Sequence, residues 1–287
     1  MTQKAKGVLA IITSAFAFAV MGALVRLCDE CGEAVSCFQK GFFRNAIAFV
    51  IALCVFLRTS RGIDVSAIKN AKMLLLMRAV FGTLGIFANF YALSVIPIAD
   101  GQALNKTAPF FTVLFAWFFL KEKPAWRQIV AIMIAFVGML LVVRPGIDVF
   151  SSSDPLARCI ALLGGIFAAA AYTTLRKLAL LKIDGAFIVL LFSAFSCIAS
   201  VPLTIMNFTP MNLAQVVIMI CLGACAAVGQ FGITLAYRFA APKEIAIFDY
   251  TSIIFAAVLG FAFFSQIPDV LSFAGFIVII VAALRLR

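Results

Sequence analysis

Five ionisable side chains fall inside long apolar runs of this 287-residue chain: Lys40, Arg44, Arg78, Lys106 and Asp249. Each charge at the centre of a membrane helix costs about 2.5–3.5 kcal/mol on insertion scales. Five facing hydrocarbon would cost on the order of 12 kcal/mol, comparable to the stability of a whole domain. They must therefore face protein or water. Lys40 and Arg44 are four residues apart and share a helix face. Lys106 stands beside Gln102, Asn105 and Thr107, just before Pro109. Pro109 has no N–H and its ring kinks a helix, and a kink there opens carbonyls towards a cavity, as in transporter binding sites. Four cations against one anion leave about +3 in the apolar region. A cavity of that sign favours a carboxylate- or phosphate-bearing solute over an organic cation.

Plainer roles stand beside these. Arg78 and Lys40 lie near the ends of their runs, where long side chains snorkel to the interface; Arg44 and Lys106 lie further in. Asp249, next to Tyr250 and Ser252, is the one carboxylate well inside a run. Two readings of it remain open: pairing with Arg78, or taking and releasing a proton during transport. Uncharged polar side chains complete the substrate-binding set: Asn89, Tyr91, Asn105, Tyr172, Gln230 and Tyr250. Amides such as Asn89 and Gln230 serve equally well to hold membrane helices together.

Other chemistries lack their residues. There is no His, so imidazole metal sites and proton relays are excluded. Most of the eight Cys sit in apolar runs as small hydrophobes; Cys28 and Cys31 form a lone CxxC, open to a disulfide but without the second pair a tetrahedral zinc site needs. No metal or other cofactor is expected. No run offers a nucleophile with a base or paired carboxylates, so an intramembrane enzyme is a remote alternative. A non-transporting receptor is another, and it gives no reason for polar stripes in both halves of the chain.

Positioning these side chains requires membrane helices. Hydrophobic residues make up 65% of the chain and charged residues 12%, which excludes a soluble globule. Breaks at charged, Pro or Gly segments leave ten apolar stretches, at 7–27, 35–57, 73–93, 98–120, 126–144, 156–176, 185–206, 212–236, 244–264 and 268–284. About 20 residues cross a bilayer, and runs of this length without strand alternation are helices. Lys4 and Lys6 before the first stretch imitate a signal peptide, but its length marks it as an uncleaved first helix. The +11 net charge is topological rather than a sign of nucleic-acid binding. With the N-terminus inside, sixteen Lys and Arg fall in cytoplasmic connections and three, Arg26, Arg144 and Arg158, fall outside. Both termini are thus expected in the cytoplasm, with the chain in the cell (inner) membrane.

The chain also repeats itself. Arg78, Gly82, Gly85 and Asn89 lie on one helix face, and an offset of 145 carries them onto Gly223, Ala227, Gln230 and Thr234. The same offset carries Pro97 onto Pro242, and Arg26 and Arg176 close the first and sixth stretches at an offset of 150. The halves are 1–150 and 151–287, and because five helices per half is odd, the second enters the membrane inverted.

The run FANFYALSVIPIADGQALNKTAPFFTVLFAWFFLKEKPAWRQIVAIMIAFVGMLLVVRPG at 87–146, with FQKGFFRN at 38–45 and LMRAVFGTLG at 76–85, resembles an EamA-type member of the drug/metabolite transporter superfamily. The resemblance implies an all-α integral membrane protein, ten helices in two inverted five-helix repeats around a central cavity, and alternating access for small metabolites. Phosphate-carrying members of that superfamily are similar in using basic cavities. The second repeat departs from the pattern: Lys121, Glu122, Lys123 and Pro124 in the first hairpin become Gln266, Ile267 and Pro268 in the second. Loss of the usual acidic residue at a turn is expected to affect gating or stability more than substrate choice. The expected function is a secondary transporter of a small polar metabolite, such as an amino acid or organic anion. The alternative is a multidrug or neutral-amino-acid exporter. The partners are a small-molecule substrate and the lipid bilayer, with protons as a candidate coupling ion and the oligomeric state open.

Overall fold

A computed structural model describes residues 2–59, 65–96, 103–143, 155–265 and 267–285. Nine of its helices are long and apolar enough to cross a bilayer, and a tenth apolar helix is shorter; no strand occurs among the described residues. They are α1 (Gln3–Glu30), α2 (Cys37–Thr59), α3 (Val65–Val95), α4 (Ala103–Leu120), α5 (Trp126–Val143), α6 (Pro155–Leu180), α7 (Gly185–Met206), α8 (Leu213–Phe239), α9 (Pro242–Phe264) and α10 (Val270–Leu284). This is a ten-helix membrane protein, with one helix for each expected stretch. The helices often run past those stretches, because apolar pattern marks the part in hydrocarbon and not the last hydrogen bond. α3, for example, begins at Val65 and carries Lys69 and Lys72 in its first turns. Pro97, Gln102, Arg144 and Gln266 lie outside the described residues.

Two helices are broken. In α4 a turn at Lys106 and Thr107 precedes the continuous helix Ala108–Leu120. Pro109 stands in the first turn of that helix; it has no N–H to donate and crowds the carbonyl four residues back. Thr107 instead bonds Leu104 O through its N–H, at 3.3 Å, and through its hydroxyl, at 2.7 Å. In α9 a 3-10 segment, Ala246–Tyr250, separates Pro242–Ile245 from Thr251–Phe264. There the hydroxyls of Thr251 and Ser252 bond the carbonyls of Phe248 and Asp249 at 2.6 and 2.7 Å, the competition with regular helix that these residue types bring.

Small residues set the packing, as expected where lipid offers helices no hydrophobic reason to associate. Ser14 of α1 donates to Gly229 O of α8 at 2.7 Å, and Gly85 of α3 lies against Gly164 and Ala168 of α6. α2 meets α7 through Asn45 and Ser196, at 2.8 Å. α5 crosses α10 at Gly138 and Gly275, where a Cβ on Gly275 would stand 2.5 Å from Gly138 O. The end of the bundle that carries both termini is sealed by one buried cluster, which includes Leu75, Leu178, Ile188, Ile233 and Tyr237. Towards the opposite end the core divides into two, one around Ala92, Leu104 and Ala161 and the other around Cys28, Met219 and Leu222.

The contact at Gly275 generates a prediction. Gly275→Val must push α5 and α10 apart, and overpacking of this kind costs about 1–3 kcal/mol. A lowered melting temperature of the purified protein is expected. Gly22→Ala, whose Cβ meets no atom within 4 Å, should leave it unchanged or slightly raised.

Candidate solute-binding site

A cavity of about 220 Å³ lies at the middle of the bundle. Eight of the residues expected around the site line it: Arg44, Arg78, Asn89, Asn105, Lys106, Tyr172, Gln230 and Asp249. They come from α2, α3, α4, α6, α8 and α9, so nearly every helix of the bundle interior contributes. Phe18 of α1 and Phe192 of α7 complete the wall.

The two helix breaks meet at this cavity. Lys106 Nζ donates to Asp249 Oδ2 at 3.0 Å and to Ser252 Oγ at 2.7 Å, and the Tyr250 hydroxyl donates to the freed Lys106 carbonyl at 3.1 Å. A break in α4 is thereby clasped to a break in α9 by an ion pair and two hydrogen bonds. Gly165 lets α6 pass close behind: a Cβ there would stand 2.7 Å from Thr107 Oγ1.

The arginines have different company. Arg78 is 3% exposed and does not snorkel; it donates to Gln230 Oε1 at 3.1 Å and lies over the Phe192 ring at 4.1 Å. Asp249, for which pairing with Arg78 was one of two open readings, pairs with Lys106, because the α9 break carries its carboxylate to the α4 side. Arg44 donates to Asn45 Oδ1 at 3.1 Å, and Asn45 in turn donates to Ser196; its guanidinium is 6.0 Å from the Phe18 ring. Gln230 holds α8 to α3 and also faces the cavity. Tyr172 stacks on Tyr237 at 5.7 Å between centroids.

Three residues expected in the substrate-binding set stand apart from the cavity. Lys40 is bound at 2.6 Å to Asp29 at the far end of α1, where a carboxylate is within reach. Tyr250 is fully buried and its hydroxyl is committed to the backbone of α4. Tyr91 lies two residues beyond Asn89, and so on the opposite face of α3, in an apolar groove with Phe38, Phe87 and Phe167. Cys28 and Cys31 are free thiols. The rings beneath the two arginines escaped sequence reasoning, since nothing in their spacing separates Phe18 and Phe192 from the other Phe among the 31.

The sealed end is also latched. Arg176 of α6 donates to Glu122 Oε1, in the α4–α5 hairpin, at 3.0 Å and to Tyr237 O at 2.9 Å. Lys243 Nζ reaches Lys123 O of the same hairpin at 2.9 Å.

The EamA-like transporter family profile matches residues 5–144. The pseudopaline exporter CntI of Pseudomonas aeruginosa is 32% identical over 282 residues, 98% of this chain and 95% of the exporter. The chain belongs to the EamA-like family. An S-adenosylmethionine uptake transporter of Rickettsia bellii is 21% identical over 258 residues, 88% of this chain and 84% of that one. A solved crystal structure superposes at a TM-score of 0.81 and 15% identity, covering 99% of this chain and 97% of the other, so the EamA-like chain shares its fold.

Two predictions follow from the clasp and the latch. Lys106→Met and Asp249→Leu should each lower the melting temperature, and the double variant should lose less than their sum, with a coupling of about 1–3 kcal/mol; strict additivity would show that the pair contributes no coupling. Glu122→Gln should loosen the sealed end. In a background without native cysteines, a cysteine at Ala171 should then react several-fold faster with a polar thiol reagent added from the side of the termini.

Proposed function

We propose that this protein is a secondary carrier that moves a small carboxylate- or phosphate-bearing metabolite by alternating access, acting as a transporter and not as an enzyme. The observation that carries the reading is the charge of the cavity lining: Arg44, Arg78 and Lys106 against the single carboxylate of Asp249. Buried net charge of that sign is costly when empty and is relieved by an anion. The halves 1–150 and 151–287 are read as inverted repeats, which the matching partners of α1 with α8 and α3 with α6 support. Both termini are placed in the cytoplasm, on the positive-inside count, in the cell inner membrane. The latched end is then the cytoplasmic one, and the described conformation is closed towards the cytoplasm. One relative is named an exporter and another an uptake transporter, so the shared fold is compatible with either direction. Asp249 is the candidate proton-coupling group.

A second reading has its own support. Lys106 is already paired and both arginines lie by aromatic rings, as in a multidrug or neutral-amino-acid exporter whose cations are structural. Transport by the purified protein in liposomes separates the two. Uptake of acidic metabolites should fall about tenfold or more in Arg44→Ala, and also in Lys106→Ala, which unmasks Asp249. Unchanged anion uptake and binding in both variants, with saturable efflux of a lipophilic cation, would establish the alternative. Asp249→Asn should uncouple uptake from an imposed pH gradient.

A further inference from the structure

The three cations of the cavity differ in what neutralises them. Lys106 has Asp249 at 3.0 Å and a hydroxyl besides. Arg44 and Arg78, only 7% and 3% exposed, have no carboxylate partner among the described residues: each donates one hydrogen bond there to a neutral amide, that of Asn45 or Gln230, out of the five N–H donors a guanidinium carries. Arg78 Nε is buried without any partner. The rings of Phe18 and Phe192 supply cation–π attraction of about 0.5–2 kcal/mol each. That falls well short of the several kcal/mol per ion that desolvation costs. The two guanidiniums line one cavity, so together they present to it two positive charges without a carboxylate partner among the described residues. Both are held in place from behind, Arg44 through Asn45 to Ser196 of α7 and Arg78 through Gln230 of α8.

We propose that Arg44 and Arg78 form a two-charge anion receptor and that the solute is a dianion, a dicarboxylate or a phosphate monoester, bound while the Lys106–Asp249 clasp stays closed. This rests on the anionic reading above and narrows it. Lys106 keeps its own counter-ion, so a solute bearing one negative charge would leave a buried guanidinium uncompensated.

The test uses the purified full-length protein and matched probe pairs that differ by one charge: succinate against butyrate, and methyl phosphate against dimethyl phosphate, read by ligand-dependent shifts of the melting temperature. At least one dianion should bind about tenfold or more tightly than its monoanionic partner, and the pair that discriminates assigns the group as carboxylate or phosphate. The preference should fall to about threefold or less in Arg44→Gln and in Arg78→Gln, and return in part in Arg44→Lys and Arg78→Lys, which keep the charge but lose the fork. Arg44→Gln and Arg44→Lys carry the test should the Arg78 variants not fold. Monoanions binding as tightly as dianions, or a preference untouched by Arg44→Gln, would overturn the receptor and leave the broader anionic reading standing. Absence of binding by all four probes would overturn both.

Discussion

The cost of placing a charge in hydrocarbon governs this molecule. Arg44, Arg78 and Lys106 sit in helices that must cross a bilayer, yet none faces lipid. Turning them inwards obliges six helices to surround a polar volume, and that volume has to be built without leaving backbone groups unpaired. The solution uses Pro109 on one side and hydroxyl competition at Thr251 and Ser252 on the other. Each break frees backbone groups where a polar neighbour can take them, as Tyr250 takes the Lys106 carbonyl. The same inward turn explains the Gly and Ala at the helix crossings, since large side chains there would hold the walls of the cavity apart.

The two ends of the bundle solve a related problem differently. At the end with the termini, Arg176 ties the α4–α5 hairpin to α6 and α8 through Glu122 and Tyr237. Its counterpart by sequence offset, Arg26, turns back to Glu30 on its own helix at 3.1 Å and lies over Phe264 at 4.6 Å from the centroid. The hairpin it faces has Gln, Ile and Pro where the first has Lys, Glu, Lys and Pro. One end is thus closed by an ion pair between distant elements. The other has the exposed local pair and ring contact of Arg26, the Lys40–Asp29 ion pair between α2 and α1, and the hydrogen bonds of Gln215 of α8 to the carbonyls of Cys28 and Glu33.

Much of the fold was legible in the residue order because lipid punishes an unpaired peptide group wherever it occurs. A run of about 20 apolar residues then has one main solution, and ten such runs gave the ten helices. Eight of the expected site residues reached the cavity for the same reason: a polar group inside a span has to point inwards. Lys40, Tyr91 and Tyr250 stand apart from the cavity, Tyr91 in an apolar groove and the other two because an inward direction does not specify a partner. Lys40 met Asp29, and Tyr250 met the backbone of α4, before either could reach the cavity.

By itself, the residue order determined that the chain lives in a membrane, how often it crosses, and which side chains cannot face lipid, since each follows from transfer free energies that depend on composition and spacing. Only the tertiary structure decided that Asp249 answers Lys106 and not Arg78, that two aromatic rings underlie the arginines, and that Arg176 ties the α4–α5 hairpin to α6 and α8. Pairing depends on which helix breaks face each other, and distances between side chains about 140 residues apart are fixed by packing that no local spacing records.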